Sequence, residues 1–227
     1  MGFFENRRRK AAEREKARVE AAHTAAVERW ETERAAIDRM LEVVRDCRAG
    51  RTHEQFDDPS DYGFMLKDGE FAVAHMADAA FIETVRAPTT YSGGYGGVSF
   101  PIFGRVRLNT GRMKGRATRG EESISMTDRG STLITNRRVM FAGAKRSKEW
   151  RFDKMLNTSH LPGGITIFAM STGKPSGIGY GEGPAPEVQF RIELAAAMAL
   201  GSLERYESEL VAEQKHHESE RPNTATS

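Results

Sequence analysis

Thr132-Leu133-Ile134-Thr135, Val139-Met140-Phe141, Trp150-Arg151-Phe152 and Ile165-Thr166-Ile167 follow one another between Ser131 and Ile167. Each run is rich in β-branched or aromatic residues, which fit a pleated, half-buried surface. Each is cut from the next by turn chemistry: Asn136-Arg137, then Gly143 to Arg146, then Pro162-Gly163-Gly164. The reading is therefore an antiparallel meander, and strands arriving this often without intervening helices favour a sandwich or barrel over a parallel sheet.

Upstream, Phe71-Val73-His75 and Phe81-Ile82-Val85 read as two short strands, and Val98 to Leu108 and Ser123 to Met126 as further ones, with Ser92 to Gly97 as a loop. Downstream, the Gly/Pro-rich Ser176 to Pro186 reads as a loop. A helix is then expected over about Val188 to Gln214, with Phe190, Leu194, Met198, Leu203, Tyr206 and Leu210 on its apolar side, capping the sheet. From Lys215 to Ser227 the chain is polar and aperiodic, and is read as a disordered tail.

The chain opens differently. From Glu5 to Arg48 there is neither proline nor glycine, and Ala, Glu, Arg and Lys dominate, so one long charged helix is expected, ended at Gly50. Val27, Trp30, Ile37, Leu41 and Val44 form a stripe along its second half, with Arg34 interrupting one position. That stripe either packs on its own domain or pairs with a second copy as a short coiled coil. Residues 51–66, with Asp57-Asp58-Pro59-Ser60-Asp61, read as a polar linker.

The run from Gly130 to Gly143, with Thr135-Asn136-Arg137 at its turn, followed by Glu149-Trp150-Arg151-Phe152-Asp153-Lys154, resembles the strand-turn-strand core of the bacterial PH-like and GRAM-like domains. Gly69-Glu70 and Ser171 to Gly177 sit where members of the actinobacterial type have comparable segments. The resemblance spans about residues 65–212 and implies an α+β fold: a bent antiparallel sheet of about seven strands capped by a C-terminal helix. Lipid or protein binding is what it implies for function, and it supplies no activity. With the helix and linker, the expected organisation is 1–50 charged helix, 51–66 linker, 67–214 PH/GRAM-like domain and 215–227 tail.

Composition narrows the chemistry. The chain has 227 residues, 34 Lys and Arg against 32 Asp and Glu, and a single cysteine, Cys47. An intramolecular disulfide and a thiolate-rich zinc site are excluded, and a reducing cytoplasm fits. No apolar run approaches the ~20 residues that span a bilayer. The chain lacks the apolar stretch of a signal peptide after Arg7-Arg8-Arg9-Lys10, and Asn6 stands where a myristoylation signal requires Ser or Thr. The six histidines show no paired metal-ligand spacing, and no Gly-x-Ser-x-Gly elbow is present. Gly173-Lys174-Pro175 lacks both the leading glycine and the hydroxyl of a phosphate loop, and Gly177-Ile178-Gly179-Tyr180-Gly181 carries Glu182 where a dinucleotide fingerprint needs glycine. No metal, cofactor or catalytic residue is expected.

One charge feature stands out. Between Glu83 and Glu121 there is no acidic residue, while Arg86, Arg105, Arg107, Arg112, Lys114, Arg116 and Arg119 are all basic. A hairpin around Asn109-Thr110-Gly111 would gather these cations on one surface, suited to anionic lipid head groups at roughly 1 kcal/mol per residue, unless carboxylates of the same chain neutralise them. Phe3 and Phe4 ahead of Arg7 to Lys10 offer a second weak membrane contact. A sequence pI near 8.7 without a recognition motif speaks against nucleic acid. The expectation is a non-enzymatic cytoplasmic binding module, peripheral at the membrane. It docks through Arg105, Arg107, Arg112, Lys114, Arg116 and Arg119, or acts as an adaptor or homo-oligomer through the Val27 to Val44 stripe.

Overall fold

The computed structural model describes residues 2–52, 63–86 and 122–222. Helix α1 runs Gly2–Arg48, and Gly50, at φ 78°, takes the left-handed conformation that ends it. Seven strands follow: β1 Ala72–Arg86, β2 Glu122–Thr135, β3 Arg138–Gly143, β4 Ser147–Arg151, β5 Met155–Leu161, β6 Ile165–Met170 and β7 Ser176–Gly179. Two helices, α2 Ala185–Ala199 and α3 Leu203–Ser219, complete the α+β fold. All strand pairings are antiparallel, in the order β4-β3-β2-β1-β7-β6-β5. The sheet is open, with β4 and β5 at its ends: it is the expected antiparallel sheet of seven strands, and of the sandwich or barrel arrangements it closes into no barrel.

The sheet is nevertheless folded over. β4 and β7 lie four steps apart, about 19 Å in a flat sheet at ~4.8 Å per step. Yet Trp150 Nε1 on β4 donates to Ser176 Oγ on β7 at 3.0 Å, and the Trp150 ring lies 5.0 Å from Phe168 and 5.7 Å from Phe81. Only a sharply bent sheet brings these together. Its interior holds Phe81, Ile134, Val139, Phe141, Trp150, Phe168 and Ile178, covered by Val188, Ile192 and Ala195 of α2. The opposite side of α2, with Phe190, Leu194 and Ala197, packs with Ile37, Leu41 and Val44 of α1 and Tyr206 and Leu210 of α3. Helix α2 is thus apolar on two faces.

Several sequence expectations need correction. The two short strands at 71–85 are one 15-residue strand whose register shifts between Met76 and Ala79, where an irregularity hides the alternation. Ser176 to Gly179 is a strand at the middle of the sheet: a Cβ on Gly177 would stand 1.8 Å from Thr166 O, so glycine is there for close approach of backbones and not for a loop. β5 was not expected, because Asn157, Thr158, Ser159 and His160 carry little apolar signal. The single C-terminal helix is two, broken at Gly201 with φ 65°. The disordered tail does not begin at Lys215, since α3 reaches Ser219 and buries His217. The expected loop at Ser92 to Gly97, the strand at 98–108 and the Asp57 to Asp61 linker core lie outside the described residues.

Candidate functional site

The basic run Arg105, Arg107, Arg112, Lys114, Arg116 and Arg119 lies outside the described residues. Its attachment is described: Arg86 pairs with Glu122 at the far end of the β1-β2 ladder, so the run belongs to the connection between the two longest strands. Beside that ladder the β3-β4 turn presents Lys145 and Arg146 to solvent. The turn is pinned by Asp128, whose carboxylate accepts the backbone N–H groups of Lys145 and Arg146, both at 2.7 Å, and of Arg129 at 2.9 Å. Desolvation pushes this carboxyl upward, but the backbone donors outweigh it and hold it below its ordinary range. Arg129 pairs with Asp78 and Arg146 with Glu83, each at 3.2 Å.

The second predicted surface is already occupied. Ile37, Leu41 and Val44 are at most 1% exposed, covered by α2 and α3 of the same chain. Trp30 is clasped by α3: its Nε1 donates to His217 O at 2.9 Å, the two rings stack at 5.2 Å, and His217 Nε2 is 2.9 Å from Trp30 O. A carbonyl only accepts, so that nitrogen carries its proton. Arg45 and Arg48 close on Glu207 at 2.8 and 2.5 Å, and Arg34 pairs with Glu218. Val27 is half-buried. Of the two expectations for the stripe, packing within the chain is what the structure shows for Ile37, Leu41 and Val44, while Trp30 is partly buried against α3.

Two polar clusters went unread in the sequence. In the first, Arg138 Nε and Nη2 grip the Glu70 carboxylate at 2.8 and 2.9 Å, while Thr135 Oγ1 at 2.7 Å and Lys67 N at 3.0 Å donate to it as well. Arg138 also bonds Met65 O at 3.0 Å and pairs with Glu149. Asn136 accepts from Phe71 N and donates to Gly69 O, both at 3.1 Å. The turn motif that carries the family resemblance is thus bolted to Gly69-Glu70, a structural role. Burial pushes the Glu70 carboxyl upward, yet the bonds from Arg138, Lys67 and Thr135 win and hold it below the ordinary carboxylate range.

In the second, His160 Nδ1 lies 2.9 Å from Thr166 Oγ1, which lies 2.8 Å from Tyr180 OH. His160 Nε2 is 3.6 Å from Glu193, and Tyr206 OH donates to Glu193 at 3.0 Å. A hydroxyl, an imidazole and a carboxylate in this order resemble the parts of a nucleophilic triad. Thr166 is 0% exposed, so no substrate reaches the hydroxyl in this arrangement, and the cluster ties α2 and α3 to β5 and β6. Burial raises the phenols of both tyrosines.

Among the described residues no group of three or more His, Cys, Asp or Glu is disposed to hold a metal ion. Cys47 is buried, and desolvation pushes its thiol up to about 11, the reverse of an activated nucleophile. No described helix is long and apolar enough to cross a membrane. No family model, curated protein or solved structure matches this chain.

Proposed function

We propose that this chain is a non-enzymatic, PH-like binding module that docks on an anionic surface, such as acidic lipid head groups at the inner face of the membrane, through the basic run from Arg105 to Arg119. The observation that carries the reading is the run itself: six cations and no carboxylate between residues 105 and 119, set in the connection that joins the ends of β1 and β2. The seven-stranded, bent antiparallel sheet with α2 over its interior supports the family resemblance. Roughly 1 kcal/mol per cation at an anionic membrane makes six a useful total, screened by salt. The adaptor alternative through the α1 stripe is weakened, because that stripe is buried within its own chain.

Vesicle sedimentation tests the proposal. Binding should rise with the fraction of anionic lipid, fall with added salt, and be lost when Arg105, Arg107 and Lys114 are replaced by Glu. Indifference to lipid charge, or full retention in that variant, removes the proposal.

A further inference from the structure

The exposed half of α1 carries a second feature that its role in packing does not explain. Residues 6–22 are all exposed, and between 6 and 19 there are seven cations against two carboxylates, a net of +5. The charges are not spread evenly. At ~100° per residue, Arg7, Lys10, Arg14 and Arg18 fall within an arc of about 80°, a row roughly 16 Å long. Glu13, Glu15 and Glu20 all sit about 100° or more from the centre of that arc. The intrahelical pairs Arg9–Glu13 at 3.7 Å and Lys16–Glu20 at 3.9 Å use cations that lie off the row. Arg18 reaches Glu15 at 3.8 Å, with both side chains well over half exposed, a contact worth little in water.

This row is held at a distance from the body. Among the described residues, α1 is exposed through residue 22, and Trp30 is clasped by α3. At 1.5 Å per residue, the row begins about 18 Å and ends about 35 Å beyond it. Alanines at 11, 17 and 21 flank the row, and Val19 is the one large apolar residue between 7 and 22. No aromatic residue, Asn or Gln lies in that span to stack on or read a base, and no apolar face exists to sink among acyl chains. A straight line of cations on a rigid rod fits a flat anionic plane.

We infer that the Lys10/Arg14/Arg18 face of α1 is a head-group contact that lies along an anionic bilayer surface. This deepens the proposed function by giving the same class of partner a second contact on a different element, and it does not require the first.

The test uses the full chain, vesicles of phosphatidylcholine with about 30 mol % phosphatidylserine, and a short DNA duplex. Replacing Lys10, Arg14 and Arg18 together by Gln should weaken vesicle binding roughly 100-fold, about fivefold for each of the three cations, with helix content by circular dichroism unchanged. Exchanging them for the other basic residue (Lys10→Arg, Arg14→Lys, Arg18→Lys) should keep binding. Unchanged affinity of the Gln variant overturns the inference. If the Arg105/Arg107/Lys114→Glu variant alone loses binding, the domain reading stands and this one falls. Loss in the Gln variant alone has the opposite meaning. Duplex binding that depends on the row while vesicle binding does not also overturns it.

Discussion

Replacing Glu70 by Ala removes the carboxylate at the centre of the turn cluster and leaves the Arg138 guanidinium, itself only 10% exposed, without its two-pronged partner. Breaking a buried pair from one side costs about 3 to 5 kcal/mol. Arg138 keeps Glu149 and the Met65 carbonyl, while Thr135 Oγ1 and Lys67 N lose an acceptor, so the cost should sit near the lower end, about 3 kcal/mol. For a chain of this size that is a fall in Tm of about 6 to 12 °C. Glu70→Gln, which keeps one accepting oxygen but turns an amide NH2 toward the donors that the other oxygen serves, should cost about as much. Urea unfolding followed by tryptophan fluorescence reads the values, and a cycle with Arg138→Met should show coupling of about 2 kcal/mol. pH adds a check. The folded Glu70 carboxyl is depressed, so its stabilisation is present above the unfolded value, about 4.3, and is lost as pH falls through the lower folded one. The gap between wild type and Glu70→Gln should therefore close below about pH 4. A cost under about 1 kcal/mol for Glu70→Ala, or simple additivity in the cycle, would refute the argument that this cluster bolts the turn.

Gly177→Ala should cost about 3 kcal/mol or more, because the new methyl meets the Thr166 carbonyl inside the ladder; an unchanged Tm would contradict the strand assignment. Trp30→Phe keeps a ring against His217 but deletes the donor to its carbonyl, so stability should drop by about 1 kcal/mol and amide exchange at 215–219 should quicken while that of the sheet does not. With its thiol raised to about 11, Cys47 should react with an aromatic disulfide at pH 8 at least about 100-fold more slowly in the folded chain than in urea; equal rates would show that the α1 packing opens freely.

What could be read from the chain in advance was whatever rests on neighbours in sequence. The long helix announces itself by the absence of Pro and Gly from Glu5 to Arg48, and the β2-β3 hairpin by Thr135-Asn136-Arg137 between two apolar runs. β7 was lost because Gly177 and Gly179 look like a loop until Thr166 is known to press against one of them. β5 was lost because its inward residues, Thr158 and His160, are polar: Thr158 bonds Met155 Sδ on its own strand, and His160 meets Thr166 on β6. Glu70 and Arg138 are separated by 68 positions, and neither carries a local sign that the other will find it. The stripe on α1 was legible as an apolar face, but Phe190, Leu194, Tyr206 and Leu210, which cover it, are far away in sequence. The cationic run at 105–119 remains legible as composition alone.

Helix α2 is sandwiched between the sheet interior and the helical cluster, and this has a consequence for synthesis on the ribosome. Ile37, Leu41 and Val44 are made early, but Phe190 and Leu194, the first residues that shelter them, are translated about 150 positions later. At ~5 to 20 residues per second the nascent stripe waits roughly 7 to 30 s, and the finished sheet stays open on one side until Val188, Ile192 and Ala195 emerge. The stripe and the sheet therefore reach their final packing late, and their window of greatest vulnerability to holdase chaperones and proteases falls before residues 188–210 are in place.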